Sequence, residues 1–500
     1  MFLSCQTQEK KTIDRPNIVL FLVDDMGWQD TSVPFWNQKT PFNDRYHTPN
    51  MERLAAEGMK FTQAYATPVC SPTRISLMTG MNAAHHRVTN WTLRKDALQP
   101  MEKNHLTLRF PEWNVNGMSP VAGDPKAVHA TPLPKLLQTA GYFTIHTGKA
   151  HFGAIGTPGE NPLNLGFNVN IAGHAAGAPE SYLGMENFGN GKKGKAVWAV
   201  PRLEKYHGND IYLTEALTRE ALTHLDSVAG RKPFFLYMSH YAVHTPIMGD
   251  KRFLQKYLNK NLDSTEAKYA SMIEGMDKSL GDIMDYLEEK KLADNTVILF
   301  MSDNGGLSAV ARGGEPHTHN KPLASGKGSI YEGGIREPML VKWPGVTKPS
   351  SITDHQIIIE DFFPTLVEMA NITNARTVQK IDGQSFVSVL KGHPSKDQRP
   401  LFWHYPNEWG PNGPGIGAHS AVRLSDFKLI YFHEDQKIEL YNITNDIGET
   451  ENLADQRPEK ANELAIILSN HLKAVNAQMP SHKKTGKKVP WPNEIINDDI

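Results

Sequence analysis

Cysteine is all but missing from this sequence: Cys5 and Cys70 are the only two among 500 residues. At most one disulfide can form, and none if Cys70 is chemically occupied. Long apolar runs are missing as well. The longest, residues 18–23 (IVLFLV), is strand-sized and far short of the ~20 residues that span a membrane. Excess charge of one sign is absent. The formal net charge is −1, which leaves no global field to draw the chain to nucleic acid or to an anionic membrane. No internal repeat and no heptad pattern occurs, so solenoids and coiled coils are excluded.

What is present describes a loop-rich globular chain, with 39 Gly, 33 Pro and 39% hydrophobic residues. Its length exceeds one ordinary core and implies a large domain with a smaller one. Strand-like runs at 17–23, 60–66, 142–147, 233–239, 296–301 and 338–343 alternate with helical patterns at 48–57, 70–79, 133–140, 211–228 and 266–292. That alternation predicts an α/β fold, a large and mostly parallel sheet sandwiched by helices. Short runs at 401–404, 421–424, 428–433 and 438–441 predict a smaller antiparallel sheet, with an amphipathic helix over 458–478 packed on it. The domains read as an N-terminal tether or signal remnant at 1–14, the α/β domain at 15–394, a C-terminal α+β subdomain at 395–480 and a tail at 481–500. The basic stretch 483–488 reads as part of that solvated tail.

The opening residues, Met1-Phe2-Leu3-Ser4-Cys5-Gln6, are followed by a polar stretch to Asp14. They end as a bacterial lipoprotein signal ends, but without the basic and apolar regions that open one. Cys5 is either a lipid anchor or incidental. In the first case the expected location is that of a periplasmic or outer-membrane lipoprotein of a bacterium.

The chemistry-bearing residues cluster at strand ends. The first strand runs into Asp24-Asp25-Met26-Gly27 and a later one into Ser302-Asp303-Asn304-Gly305-Gly306. Adjacent carboxylates repel unless a cation lies between them, and oxygen donors suit Ca²⁺ or Mg²⁺. The plainer reading of the Asp pair is one turn cap and one solvated side chain. Lys149 and His151 follow the 142–147 strand, and His240 and His244 follow the 233–239 strand. Each of these taken singly is equally a surface or structural residue. In parallel sheets, sites form beyond the carboxyl ends of strands, and this shared placement says more than any single motif. Cys70 opens a short helix, with Pro72 in its first turn and Gly80 as its stop. A helix start lowers a thiol pKa; the plainer reading is a buried Cys on a capped helix.

Taken together, these residues resemble the sulfatase family of the alkaline-phosphatase-like superfamily, over residues 17–453. Cys70-Ser71-Pro72-Thr73-Arg74 is similar to the family's C-x-P-x-R signature, and Leu77-Met78-Thr79-Gly80 also fits. Thr73 stands where Ser is more usual. Gly141-Tyr142-Phe143-Thr144 through Gly148-Lys149-Ala150-His151 is similar to the second signature. Asp303-Asn304-Gly305-Gly306, Gly326-Lys327-Gly328 and the segment from Leu440-Tyr441-Asn442 to Asn452-Leu453 resemble later blocks.

The resemblance implies a sulfuric ester hydrolase in which Cys70 is oxidised to formylglycine by a formylglycine-generating maturase. The hydrated aldehyde carries two hydroxyls on one carbon. One attacks sulfur, and the other collapses the covalent sulfo-enzyme and expels sulfate. By the same resemblance Asp24, Asp25, Asp303 and Asn304, with residue 70, hold one divalent ion, Ca²⁺ being expected. Arg74 holds residue 70 and the carboxylates. Lys149 and Lys327 neutralise sulfate oxygens. His244 and Lys327 assist the leaving oxygen, and His151 takes the proton that triggers release. Two other classes remain open at this point: a phosphoester hydrolase on the same fold, and a non-catalytic glycan-binding module in which Cys70 is not converted.

A sulfated saccharide is the expected substrate, with exo action on galactose- or hexosamine-containing glycans. The long Asn-, Gly- and aromatic-bearing loops at 92–130, 153–209 and 405–420 are expected to form its pocket. Trp113, Asn114, His174, His317, His319, His404 and Trp409 are the candidate sugar contacts, and each is equally an ordinary loop residue.

Overall fold

The computed structural model describes residues 15–192, 196–309, 312–393 and 399–496. Cys5 and the 1–14 segment lie outside the described residues, as does the expected domain boundary at 394/395.

A nine-stranded sheet forms the centre. In chain order its strands are β1 (Asn17–Val23), β2 (Met59–Tyr65), β3 (Phe143–Gly148), β4 (Val169–Ile171), β5 (Phe234–Ser239), β6 (Thr296–Ser302), β7 (Arg336–Lys342), β8 (Ser351–Thr353) and β9 (Ile357–Ile358). Their spatial order is β8-β2-β7-β6-β1-β5-β3-β4, with β9 also pairing β2. Every pairing is parallel except those of β7, which runs antiparallel to both β2 and β6. The sheet is therefore mostly parallel, as the alternating pattern requires.

β1 shows why the strands read as unbroken apolar runs. All seven of its residues are buried. Ile18, Leu20 and Leu22 enter the core on one face of the sheet, and Val19, Phe21 and Val23 enter the core on the other. Period-two alternation with helices on both faces leaves no side for a polar residue. The longer helices are α1 (Pro49–Glu57), α2 (Cys70–Thr79), α3 (Leu133–Thr139), α4 (Leu213–Asp226), α5 (Lys251–Leu258), α6 (Ser264–Glu289) and α7 (Phe362–Met369), with α8 (Pro458–Ala474) near the C-terminus. α5, absent from the sequence expectation, spans only eight residues, and its Phe253, Leu254 and Tyr257 meet the core over barely two turns. Asp250 caps it by accepting the Arg252 backbone N–H.

All ten residues of α2 are buried. The helix ends at Gly80, whose φ of +70° lets its N–H reach the Ser76 carbonyl at 2.8 Å. A Cβ there would lie 3.0 Å from Phe363, so glycine is needed for both conformation and room.

The second sheet is an antiparallel meander of β10 (Leu401–Tyr405), β11 (His419–Leu424), β12 (Phe427–Phe432) and β13 (Ile438–Asn442). Val422, Leu429 and Leu440 pack against α8 through Leu464 and Leu468. Leu401, Trp403, Ala421 and Ile430 instead join the core of the large sheet. The smaller sheet thus shares a core with the α/β domain. Buried Glu332 adds a polar link between the two, accepting Tyr65 Oη at 2.8 Å and Lys428 Nζ at 2.9 Å.

The tail needs a correction. Residues 483–488 are exposed, but the chain around them is not a solvated tail. Ser481–His482 pairs with Leu108–Arg109, Val489 is buried, and the helix Pro492–Ile496 packs back near α8. The apolar residues Val489, Trp491 and Ile495 draw it onto the protein.

Glu360 is a buried carboxyl that accepts Asn82 Nδ2 at 2.8 Å through one oxygen, the other having no partner among the described residues. Burial, with Asp361 alongside, pushes its pKa up to about 8. A folded-state pKa above the unfolded value means that stability is lost as pH rises from about 4.5 to about 8. Glu360→Gln keeps the Asn82 contact and has no proton to lose. Its melting temperature should therefore gain on the wild type progressively across that interval and hold constant above it. A pH-independent difference in thermal melts would refute this.

Candidate active site

The strand order places β6, β1, β5 and β3 side by side, so their carboxyl ends open onto one place. β1 delivers Asp24 and Asp25, β6 delivers Asp303 and Asn304, and β3 is followed by Lys149. The turn after β5 carries His244. The start of α2 brings Cys70 and Arg74, and the glycine-rich loop before β7 brings Lys327. Apart from the part-buried His244, all of these are buried.

Ion pairs knit the group together. Arg74 donates through Nε and Nη2 to Asp303 Oδ2 at 2.9 and 2.7 Å, and through Nη1 to Ser239 Oγ and the Lys149 carbonyl at 2.5 and 3.0 Å. Lys149 Nζ donates to both oxygens of Asp24 at 2.8 and 2.7 Å. Lys327 Nζ donates to Asp25 Oδ2 at 2.9 Å, and Asn304 Nδ2 to Asp25 Oδ1 at 2.8 Å. Asp25 takes a φ of +60°, and its backbone N–H reaches Asp303 Oδ1 at 3.2 Å. Tyr269 Oη donates to the Asp25 carbonyl at 3.0 Å and to Asp30 at 2.7 Å, fixing this loop from behind.

The electrostatics separate the paired aspartates. Burial pushes Asp24 up, reinforced by Asp303 and Asp25 and opposed by Lys149. Burial also acts on Asp25, but the cations beside it, Lys327 foremost, together outweigh burial and hold that carboxyl well below the usual range. Cys70 follows the plainer reading, a buried cysteine at a capped helix start. Burial pushes the pKa of the encoded thiol up despite Lys149 and Lys327, which keeps it protonated and a poor nucleophile.

The donor set fits a hard divalent cation. Ligand atoms of Asp24, Asp25 and His244 lie within 4.8 Å of one another. Buried Asn304 Oδ1 has no hydrogen-bond partner among the described residues, which an oxygen-seeking ion would satisfy. Asp303 completes an oxygen-rich group on the same strand ends.

Cys70, His151, His244 and Lys327 line a cavity of about 540 Å³. His151 Nε2 donates to the Thr92 carbonyl at 2.8 Å, which leaves Nδ1 as the unprotonated nitrogen, with no partner among the described residues. Burial pushes the ring's proton affinity well down. His244 Nδ1 lies 2.9 Å from the Thr245 carbonyl, and its Nε2 lies 3.6 Å from Asp25 Oδ2.

The structure brings together every residue expected in the metal and catalytic group. The expected sugar contacts divide. Trp409 lines the cavity. Trp113 does not: it is buried in the core and donates to Glu102. Asn114 donates to the His86 carbonyl instead, and His174 is packed beside Tyr241. His404 bridges Ser420 and Gln478 inside the smaller sheet, and His319 bonds the Gly313 carbonyl. His317 is also outside the cavity lining. For Trp113, Asn114, His319 and His404, burial or a backbone carbonyl claims the side chain. Trp91, Trp198 and Glu180 line the cavity and were missed. Glu180 and Trp198 lie in the expected 153–209 loop and Trp91 just before the 92–130 one, but no spacing marks which aromatic turns inward.

The sulfatase family model matches residues 16–372, and that of the N-sulphoglucosamine sulphohydrolase C-terminal region matches 325–478. A sulfatase of Formosa agariphila is 32% identical, over 98% of this chain and 95% of that protein. The human N-acetylgalactosamine-6-sulfatase is 32% identical, over 83% of this chain and 79% of that protein. The crystal structure of Ps i-CgsB superposes with a TM-score of 0.73 at 26% identity, covering 92% of this chain and 93% of that one. With that likeness joined to the geometry at the strand ends, the chain belongs to the sulfatase family and is a hydrolase of sulfuric esters.

Proposed function

We propose that this sulfatase removes an O-sulfate from a sulfated saccharide, using formylglycine formed at Cys70 and one divalent cation, with Ca²⁺ the ion suited to the ligands. The carrying observation is that residue 70, Lys327, His151 and His244 share one cavity directly beside the Asp24, Asp25, Asp303 and Asn304 group. Saccharide chemistry is supported by two relatives: Ps i-CgsB has been crystallised with k-i-k-neocarrahexaose, and the mammalian relatives are named for N-acetylgalactosamine 6-sulfate.

Formylglycine at position 70 would supply a geminal diol, with one hydroxyl to attack sulfur and a second whose deprotonation releases sulfate. A bound Ca²⁺, held by Asp24, Asp25, Asp303 and Asn304, would supply charge to orient sulfate and acidify the attacking hydroxyl. The chain's own groups do the rest. Arg74 locks Asp303 and the Lys149 carbonyl in place. Lys327 stays charged, because burial is outweighed by Asp25 and its other anionic neighbours together, and so can neutralise a sulfate oxygen as charge moves to the leaving group. His244 is pushed down to about 3 by burial and the nearby Lys327. It is neutral in the free enzyme, and the arriving anionic ester favours its protonation beside the leaving oxygen. His151 offers the bare Nδ1 as the base for release.

We also propose a bacterial periplasmic or outer-membrane lipoprotein anchored at Cys5, and maturation by a formylglycine-generating enzyme. Labelled lipid should be incorporated by the wild type and not by Cys5→Ala; equal labelling removes the anchor.

Mass analysis of the residue-70 peptide, from protein made with the maturing enzyme, should show the aldehyde in place of the thiol. Cys70→Ser should bind substrate while turnover falls about 10⁴–10⁶-fold. A retained thiol in active enzyme, or full activity in that variant, would sink the mechanism.

Ca²⁺ at 100-fold excess over its Kd should stabilise the protein by about 3 kcal/mol, and chelation should reverse this. Asp303→Asn should shrink the calcium-induced shift in melting temperature. A wild-type melting temperature indifferent to Ca²⁺ and to chelator refutes the cation.

A further inference from the structure

Three half-buried tryptophans, Trp91, Trp198 and Trp409, line the cavity above residue 70. They come from separate segments, and the ring of Trp409 crosses over from the smaller sheet's side of the molecule. Its place is reserved by glycine: a Cβ on Gly328 would lie 2.0 Å from Trp409 Cε3, and Gly328 has a φ of +84°. The indole consequently sits on the backbone next to Lys327, whose Nζ is 6.0 Å from the ring centroid. The segment that follows Trp409 is tied to the same loop, with Ile330 N donating to the Gly415 carbonyl at 2.9 Å and Ser329 Oγ to the Pro414 carbonyl at 2.9 Å.

One buried carboxylate organises two of these tryptophans. Glu102 Oε1 accepts Asn407 Nδ2 at 2.8 Å, Trp113 Nε1 at 3.1 Å and Asn90 Nδ2 at 3.2 Å, while Oε2 accepts the Gln99 backbone N–H at 3.0 Å. Asn90 Nδ2 also reaches the Glu408 carbonyl at 3.1 Å, and Gln99 Nε2 reaches the Trp91 carbonyl at 3.1 Å. The immediate neighbours of Trp91 and of Trp409 are therefore fastened to one acceptor. The donors to Glu102 are the amides of Asn407 and Asn90, the Trp113 indole and the Gln99 backbone N–H, and only an acceptor can serve so many of them.

We propose that Trp91 and Trp409 form a ring-stacking slot for the pyranose that carries the sulfate, and that Glu102 is the positioning residue that holds the slot over residue 70. The proposal rests on the saccharide reading above. An indole gives a rigid apolar face at small entropic cost, which matches the C–H face of a pyranose. The slot fixes the distance between that face and Lys327, so it selects where on the ring the ester lies.

The test uses matured full-length enzyme on each positional monosulfate of galactose and of N-acetylgalactosamine, with an aryl sulfate as a check on ester hydrolysis. For the best saccharide, Trp409→Ala and Glu102→Ala should raise KM at least tenfold more than they lower kcat. Trp409→Phe and Glu102→Gln, which keep a ring and the shared acceptor, should recover most of the loss. In the Cys70→Ser background, Trp409→Ala should weaken saccharide binding at least tenfold by calorimetry, a readout independent of turnover and of whether Glu102→Ala folds. Unchanged KM and unchanged binding in Trp409→Ala overturn the slot, and so does wild-type turnover of the aryl sulfate with none of the saccharides. Turnover of neither ester class defeats the underlying sulfatase reading and the slot with it.

Discussion

The buried pairing of Arg74 with Asp303 is the contact on which the rest of the site depends. A guanidinium and a carboxylate taken wholly out of water are tolerable only as partners with their remaining hydrogen bonds satisfied. Arg74 spends its other donor on Ser239 and the Lys149 carbonyl, so one side chain joins α2, β5, β6 and the segment after β3. Asp24 with Lys149, and Asp25 with Lys327, extend the same logic to β1 and the glycine-rich loop. Three carboxylates thereby face three cations, all of them buried, beneath the cavity. The arrangement is rigid because displacing any one member strands its partner's charge.

The sheet makes that concentration of charge affordable in space. β6, β1, β5 and β3 are parallel neighbours, and parallel neighbours end on the same side. The reversal of β7 serves a different purpose. By running antiparallel to β6, it lets the chain between them sweep across the site, which carries Lys327 to Asp25 before the strand begins. The left-handed turn at Asp25 aims its carboxylate back over the strand end, with Tyr269 and Asp30 bracing it.

The smaller sheet is part of the same machine. Its inner face completes the hydrophobic core of the large sheet, and the loop between β10 and β11 reaches the cavity with Trp409. The chemistry is thus set by the large sheet and part of the wall by the smaller one, so changes in the 405–417 loop can reshape substrate fit without touching the charged floor.

Much of this was legible in advance, and the division follows from the range of the forces. Local periodicity marked the central strands within one or two residues, because a strand buried on both faces must be apolar throughout. Cys70-Ser71-Pro72-Thr73-Arg74 and the Asp-Asp and Asp-Asn strand ends were visible because backbone turn and chemistry are encoded contiguously. α5 escaped notice because it is only eight residues long, with three core-facing side chains, and residues 481–496 escaped because their apolar anchors are too sparse to show a period. The sequence by itself determined the carboxylates and amide at the strand ends, the signature that begins at Cys70 and the alternation that builds the sheet. Only tertiary structure decided that burial outweighs the helix start and the lysines at Cys70, that Trp113 supports Glu102 while Trp91 and Trp409 face the cavity, and which residues pair across the floor. Those outcomes depend on burial and on contacts between segments hundreds of residues apart, and no local pattern carries that information.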